Sequence, residues 1–395
     1  MYIGNKNIID TTSSRFKGFI EEGNLYVDKT IFVEHILKEA STSLMFTRQH
    51  GMGKSLNLST LATFLDCKAK TAHLFSGLYI ERSEEFAKVN KYPVIYLNFK
   101  DYKIDNYKQL LRRDIIAHIE KYLTPDQYGW RLPRYMDDEH GFDSMALNDL
   151  MKILADVYGK SPYLLIDDYD KPFIDNINHA ELPKLWNDIT YFLSSALKDN
   201  PHLGKGVVMG VTRIIMANMY SGLNNLAVYD VLNSRKYDAD FSLTETELTE
   251  LVPDERINGA RRRCGNMRVG KELLYNIRSV MDFLRDSDAE LQENRVISAN
   301  ESLLGTLLNE RRAETIKQML VDEKYRYDTF IENNIVLEHL KKNTLYNDTP
   351  FYTLAVQAGY LSFETDGYDV YRVYIPNTEA RRVWTRLILE TEGKL

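Results

Sequence analysis

Gly53, Lys54 and Ser55 have the types and order needed to hold a phosphate, and Asp167 and Asp168 form a carboxylate pair suited to a divalent cation and a water. A phosphate cradle works because successive backbone N–H groups and a helix N-terminus point at the anion while a lysine neutralises its outer oxygens. The hydroxyl that follows the lysine, here Ser55, is the usual Mg²⁺ ligand. Gly51 adds backbone freedom before the lysine. Five residues before Gly53, where the usual loop has glycine, stands Arg48, whose side chain demands a different turn. His50 lies inside the loop and could donate to a phosphate, although a solvent-facing histidine is the plainer reading.

These groups need elements to aim them. "SLMF" (Ser43 to Phe46) is a short apolar run before a Gly-bearing turn, and "SLNLSTLATFLD" after it has helical spacing. Strand, loop and helix in that order are the setting a phosphate loop requires. "YLLIDDYDKP" (Tyr163 to Pro172) is an apolar strand that carries Asp167 at its tip, on a strand expected to lie next to "SLMF". An acidic residue so placed holds Mg²⁺ in nucleotide hydrolases built on this loop. "GVVMGVTRI" is a further apolar strand, after which Arg213 is placed to sense a γ-phosphate or simply to cap the strand at the surface.

Between these runs lie "YPVIYLNF", another buried strand, and the helical stretches "YKQLLRRDIIAHIEKYL", "SMALNDLMKILADVYG" and "LPKLWNDITYFLSSALKD". Continuously apolar strands alternating with helices predict an α/β fold: a P-loop NTPase parallel sheet of five or more strands with helices on both faces. From about Thr244 helical segments predominate. The chain then closes on a helix, two strands around a turn containing Gly367, and a last helix, a winged-helix-like order. The expected domains are therefore 1–244, an ATPase-like unit, and 245–395, a mainly helical unit.

Composition narrows the function. Of 395 residues 44% are hydrophobic and 27% charged, a normal globular balance. A formal charge of −7 gives no global electrostatic case for nucleic acid, although the local runs "RRRCGNMR" and "EARRVWTR" remain candidate phosphate-contacting surfaces. Two cysteines far apart, no signal peptide and no long uncharged apolar run predict a reduced, cytoplasmic protein without a membrane span. The eight histidines lack metal-site spacing.

With these motifs in order, the chain resembles the bacterial AAA-ATPase-like family, whose members usually join a P-loop ATPase to a C-terminal restriction-endonuclease-like nuclease domain. The matching stretches are "YVDKT" at Tyr26 to Thr30, "TRQHGMGKSLNLSTL", "LFSGLYI", "YPVIYLNFKDY", "LLIDDYDKP", "MGVTRI", "YSGLNNLAVYDVL" and "FSLTETEL". "LYNIRSVMDFL" and "AGYLSFETDGYDVYRVYIPNTEARRVW" extend the likeness over nearly the whole chain. In that family the loop begins with Thr-Arg, so Arg48 is a family trait. The resemblance implies ATP and Mg²⁺ as cofactors, with Arg48, Gly51, Gly53, Lys54 and Ser55 around the phosphates and Ser55 and Asp167 on the metal. It also implies Asp168 in place of the usual water-orienting glutamate, Arg213 near the γ-phosphate, and Tyr26 and Asp28 near the base or ribose.

The departures from the family pattern shape the functional expectation. Asp168 is one methylene shorter than glutamate, about 1 Å, and such misplacement can cost roughly 10²-fold in rate. Gln49-His50-Gly51 replaces a more basic stretch, "RRRCGNMRVG" replaces an aromatic one, and the chain stops where the nuclease domain would begin. The expectation is a slow ATP hydrolase acting as a nucleotide-dependent switch on a protein partner, such as a nuclease in trans, or on nucleic acid, alone or as an oligomer. Its rival is a non-hydrolysing interaction protein with nucleotide as a structural ligand.

Overall fold

The computed structural model describes residues 2–128, 145–216, 225–232, 236–265, 267–269, 272–285, 298–341, 347–365 and 370–393. Its centre is a five-stranded sheet of β1 (Ser43–Thr47), β2 (Val94–Asn98), β3 (Tyr163–Asp167), β4 (Lys205–Gly210) and β5 (Ala227–Tyr229), in the order β2-β3-β4-β1-β5. Every pairing is parallel. All five residues of β1 are buried because helices cover both faces. Leu44 and Phe46 face one apolar layer with Leu165, Val207 and Met209, while Met45, Leu164, Ile166 and Val208 face the other.

The register places the chemistry. Thr47 pairs with Gly210, Ile166 with Val208, and Asn98 with Asp167, so the phosphate loop and the carboxylates leave the sheet at its same, C-terminal edge. The expected adjacency fails: β4 lies between β1 and β3. Continuous apolarity reveals a strand buried on both faces but carries nothing about its neighbours, which the crossovers decide.

The first apolar layer packs α1 (Lys54–Leu65), and the second packs α2 (Tyr107–Tyr122), α3 (Ala146–Tyr158) and α4 (Leu182–Leu197). Past Thr244 come α5 (Glu245–Leu251), opened by a capping box between Thr244 and Glu247, then α6 (Asp254–Cys264) and α7 (Ile277–Arg285). These pack with Leu25 and Val27 from the N-terminal stretch in a third apolar cluster.

The remainder is winged-helix-like. After α8 (Ala299–Leu307) come α9 (Glu310–Val321), β6 (Tyr327–Phe330), α10 (Leu337–Lys341), α11 (Thr349–Gln357), β7 (Ser362–Thr365), β8 (Val370–Tyr374) and the closing α12 (Thr378–Thr391). The three strands form an antiparallel sheet, β6-β8-β7. The turn with Gly367 lies outside the described residues. Leu304, Tyr352 and Trp384 of this part join the second layer without a break.

Candidate functional site

The loop leaves β1 at Thr47, and the Arg48 N–H is held by the Gly210 carbonyl at 3.1 Å. Gly51 and Gly53 both have positive φ, +80° and +69°, a conformation that side chains resist, and Gly53 caps α1. Lys54 is buried at the first turn of that helix, and its Nζ donates to the carbonyls of Arg48 and Gln49, each at 2.8 Å. Burial lowers the pKa of the ammonium, opposed by the carboxylates of Asp168, Asp167 and Asp170. The loop is thus wrapped on its own lysine.

Ser55 stands close to Asp167 at the C-terminal edge of the sheet, and its hydroxyl helps to hold the Asp167 carboxylate charged. Asp167 also accepts from the Tyr96 hydroxyl at 3.1 Å and from the Asp168 N–H at 3.1 Å. Burial, then the neighbouring charge of Asp168, raises its pKa to about 6. Among the described residues no group of three or more His, Cys, Asp or Glu forms a cage for a metal. A hydroxyl beside one buried carboxylate would suit a Mg²⁺ that keeps most of its waters and leans on phosphate oxygens.

That carboxylate is costly without a cation. A folded-state pKa above the unfolded value means the native state holds the proton more tightly, so the penalty is complete above pH 6 and shrinks as pH falls towards 4. Asp167→Asn should therefore stabilise the nucleotide-free protein by about 1–3 kcal/mol at pH 8. The gain over wild type should close in melts run at progressively lower pH, and a variant less stable than wild type at pH 8 would contradict this account.

The side chains of other expected residues are engaged within the protein. The Arg48 side chain is 1% exposed and turns away from the loop, donating to the carbonyls of Thr47 (2.9 Å) and Tyr229 (2.7 Å) and to Asp238 Oδ1 (3.1 Å). Tyr26 is buried edge-on against Phe16 and Phe19, not open to a base. Asp28 caps a turn, accepting from the Thr30 N–H and hydroxyl and from the Tyr79 N–H. A tight aromatic and polar pattern near a loop reads the same in sequence whether it faces a ligand or the core. Arg213 does lie at the sheet's working edge, following β4, with its guanidinium 3.7 Å from Asp230 just past β5. His50 is exposed.

Several residues escaped the sequence reading. Asp170, three positions past Asp167 in the same acidic run, is fully buried and accepts from the N–H groups of Val211 and Thr212 and from the Thr212 hydroxyl (2.6 Å). It fixes the segment that carries Arg213. From the C-terminal part, Asn276 Nδ2 donates to the His50 carbonyl (2.7 Å), and the Arg278 N–H donates to the Gly51 carbonyl (3.1 Å). An asparagine just before the amphipathic "IRSVMDFL" was a readable helix cap, and its Oδ1 does accept from the Ser279 N–H. Nothing in the pattern says that this cap lands on the phosphate loop.

The basic runs are largely committed to ion pairs. Arg261 pairs with Glu245, Arg263 with Glu379, Arg381 with Glu323 and Arg386 with Glu301. The side chain of Arg268 lies outside the described residues. Among the described residues no helix is long and apolar enough to cross a membrane.

A parallel sheet in which β1 runs through a Gly-Lys-Ser loop into a helix, with an acidic strand tip two places along, defines a P-loop NTPase fold. The family described as "Predicted AAA-ATPase" matches residues 11–220, over half the chain, and the chain belongs to that family. It is 27% identical over 239 residues to an uncharacterized protein in the vnfD 5′ region of Azotobacter chroococcum mcd 1, covering 60% of this chain and 43% of that protein. The chain thus spans less than half the length of this curated relative. Among solved structures, the Walker-type ATPase PABY2304 of Pyrococcus abyssi aligns at a TM-score of 0.43 and 13% identity, over 90% of this chain and 94% of that one. Cdc6p from Pyrobaculum aerophilum aligns at 0.33 and 11%, over 99% and 100%.

Proposed function

We propose that the protein binds ATP with Mg²⁺ and hydrolyses it slowly, using the nucleotide to reposition its C-terminal part on a protein partner such as a nuclease in trans. The observation that carries this reading is the pair of contacts from Asn276 and Arg278 to the loop carbonyls of His50 and Gly51. A loop that opens to take up phosphate must alter those contacts, so occupancy is felt beyond Thr244. Lys54 would contact the outer phosphates, and Ser55 and Asp167 would hold Mg²⁺, which supplies neutralisation of phosphate charge. Arg213 would approach the γ-phosphate, and Asp168 would accept a proton from the attacking water. A protein partner is preferred to nucleic acid because four arginines of the two basic runs already face carboxylates.

The second reading, nucleotide as a structural ligand without turnover, is favoured by the short side chain of Asp168. Calorimetric titration with ATP, with and without Mg²⁺, tests what both readings share. Lys54→Ala should weaken Mg²⁺-dependent binding about 10- to 100-fold, the worth of charge-assisted contacts to phosphate. Equal affinities for wild type and Lys54→Ala would remove this loop from the site.

A further inference from the structure

In a winged-helix arrangement the helix before the hairpin is the one that enters a DNA groove, and it must show a face to solvent to do so. Here that helix is α11, and every residue from Pro350 to Ala358 is buried. Its C-terminal end instead meets the candidate nucleotide site twice. Gln357, 1% exposed, accepts from the Arg213 N–H at 2.9 Å through Oε1 and donates to the Asn333 carbonyl at 3.2 Å through Nε2. Two residues on, Gly359 lies against Gln49 of the phosphate loop so closely that a Cβ there would fall 2.1 Å from the Gln49 Cδ.

The segment after β4 is stitched to the same place. Ile214–Ile215 pairs in parallel with Ile335–Val336, and the Arg213 carbonyl accepts from the Ile335 N–H at 2.7 Å. Arg213 is therefore gripped at both its backbone groups by the winged-helix-like part, while its side chain points to Asp230. Buried amide bonds of this kind fix a backbone because breaking either leaves an unsatisfied polar group.

We infer that α11 is turned inward as a positioning element of the nucleotide site, with Gln357 setting the backbone of Arg213, so that this module reads the nucleotide rather than a DNA groove. The inference rests on the nucleotide reading above and deepens it by naming how the site is regulated. Arg213 and Gln49 are two points of one module's grip on the site's rim. A change at the phosphates that moves either one is passed to Asn333, Ile335 and the C-terminal end of α11.

Hydrogen–deuterium exchange on the full chain, with and without ATP and Mg²⁺, tests it. In wild type, ATP should slow exchange at residues 51–55 and change it at least about threefold at residues 333–337 and 355–361, since exchange reports local opening. Gln357→Met keeps the length but removes both bonds; it should retain the response at 51–55 and lose the one at 333–337. Gln357→Glu keeps an acceptor for the Arg213 N–H and, when protonated, a donor for the Asn333 carbonyl, and should restore it. A role in packing alone would raise exchange in the module with or without nucleotide, and Gln357→Glu would not reverse that. No ATP response at 51–55 in wild type overturns the nucleotide reading, and this inference with it. A response at 51–55 without one at 333–337, or one that survives Gln357→Met, overturns this inference alone.

Discussion

Arg48→Ala should lower stability by about 3–5 kcal/mol, the usual cost of removing one partner of a buried ion pair. The reason lies in what the guanidinium leaves behind. Asp238 is its paired carboxylate, with a side chain only 5% exposed, and the charges of Asp230 and Asp240 also act on Arg48. Without the arginine, the buried Asp238 carboxylate loses this cationic partner, and the carbonyls of Thr47 and Tyr229 each lose a donor. The guanidinium also lies 5.2 Å from the Phe241 ring, a contact that an alanine forfeits. Arg48→Lys should recover little, because a single ammonium cannot reproduce a planar fork spread over three acceptors. Removing the charge on both sides, in Arg48→Ala with Asp238→Ala, should cost less than the sum of the single changes. Denaturant unfolding of the four variants checks this. Normal stability in Arg48→Ala together with lost ATP affinity would return Arg48 to the ligand.

The same residue shows how far sequence carries and where it stops. The spacing Gly51, Gly53, Lys54, Ser55 after an apolar run locates the loop, since backbone freedom and a helix start are local properties written in local residues. The tip of β3 is legible for the same reason: an apolar strand must end where carboxylates begin. Strand order is not local, so β4 between β1 and β3 went unseen. The direction of the Arg48 side chain depends on Asp238, 190 residues away, and the role of Gln357 on Arg213, 144 residues away. The surroundings of Tyr26 were not legible, because a motif fixes which residues occur together, whereas the packing of Phe16 and Phe19 decides that Tyr26 faces inward. What pattern reads well is the backbone's local need; what it misses is the partner supplied from afar.

The carboxylate at 168 sets two effects against each other, and the variants separate them. Asp168 has φ of +52°, in the left-handed region that aspartate and asparagine tolerate and longer side chains resist. A glutamate there gains about 1 Å of reach towards the water, worth up to roughly 10²-fold in rate, but carries about 1–2 kcal/mol of backbone strain. The strain is borne by the folded state with or without nucleotide, so it appears in the melting temperature and leaves the step from bound ATP to product largely untouched. Asp168→Glu should therefore raise kcat while lowering Tm. Asp168→Asn should do the opposite. It fits the same backbone and removes the like charge that helps to push Asp167 to about 6, so Tm holds or rises. It has no group to accept the water's proton, so single-turnover cleavage at saturating ATP should fall at least about tenfold. Cleavage by Asp168→Asn at the wild-type rate would show that Asp168 is not the base. If all three proteins bind ATP and none cleaves it, the nucleotide is a structural ligand, and the contacts of Asn276 and Arg278 with the loop are its readout.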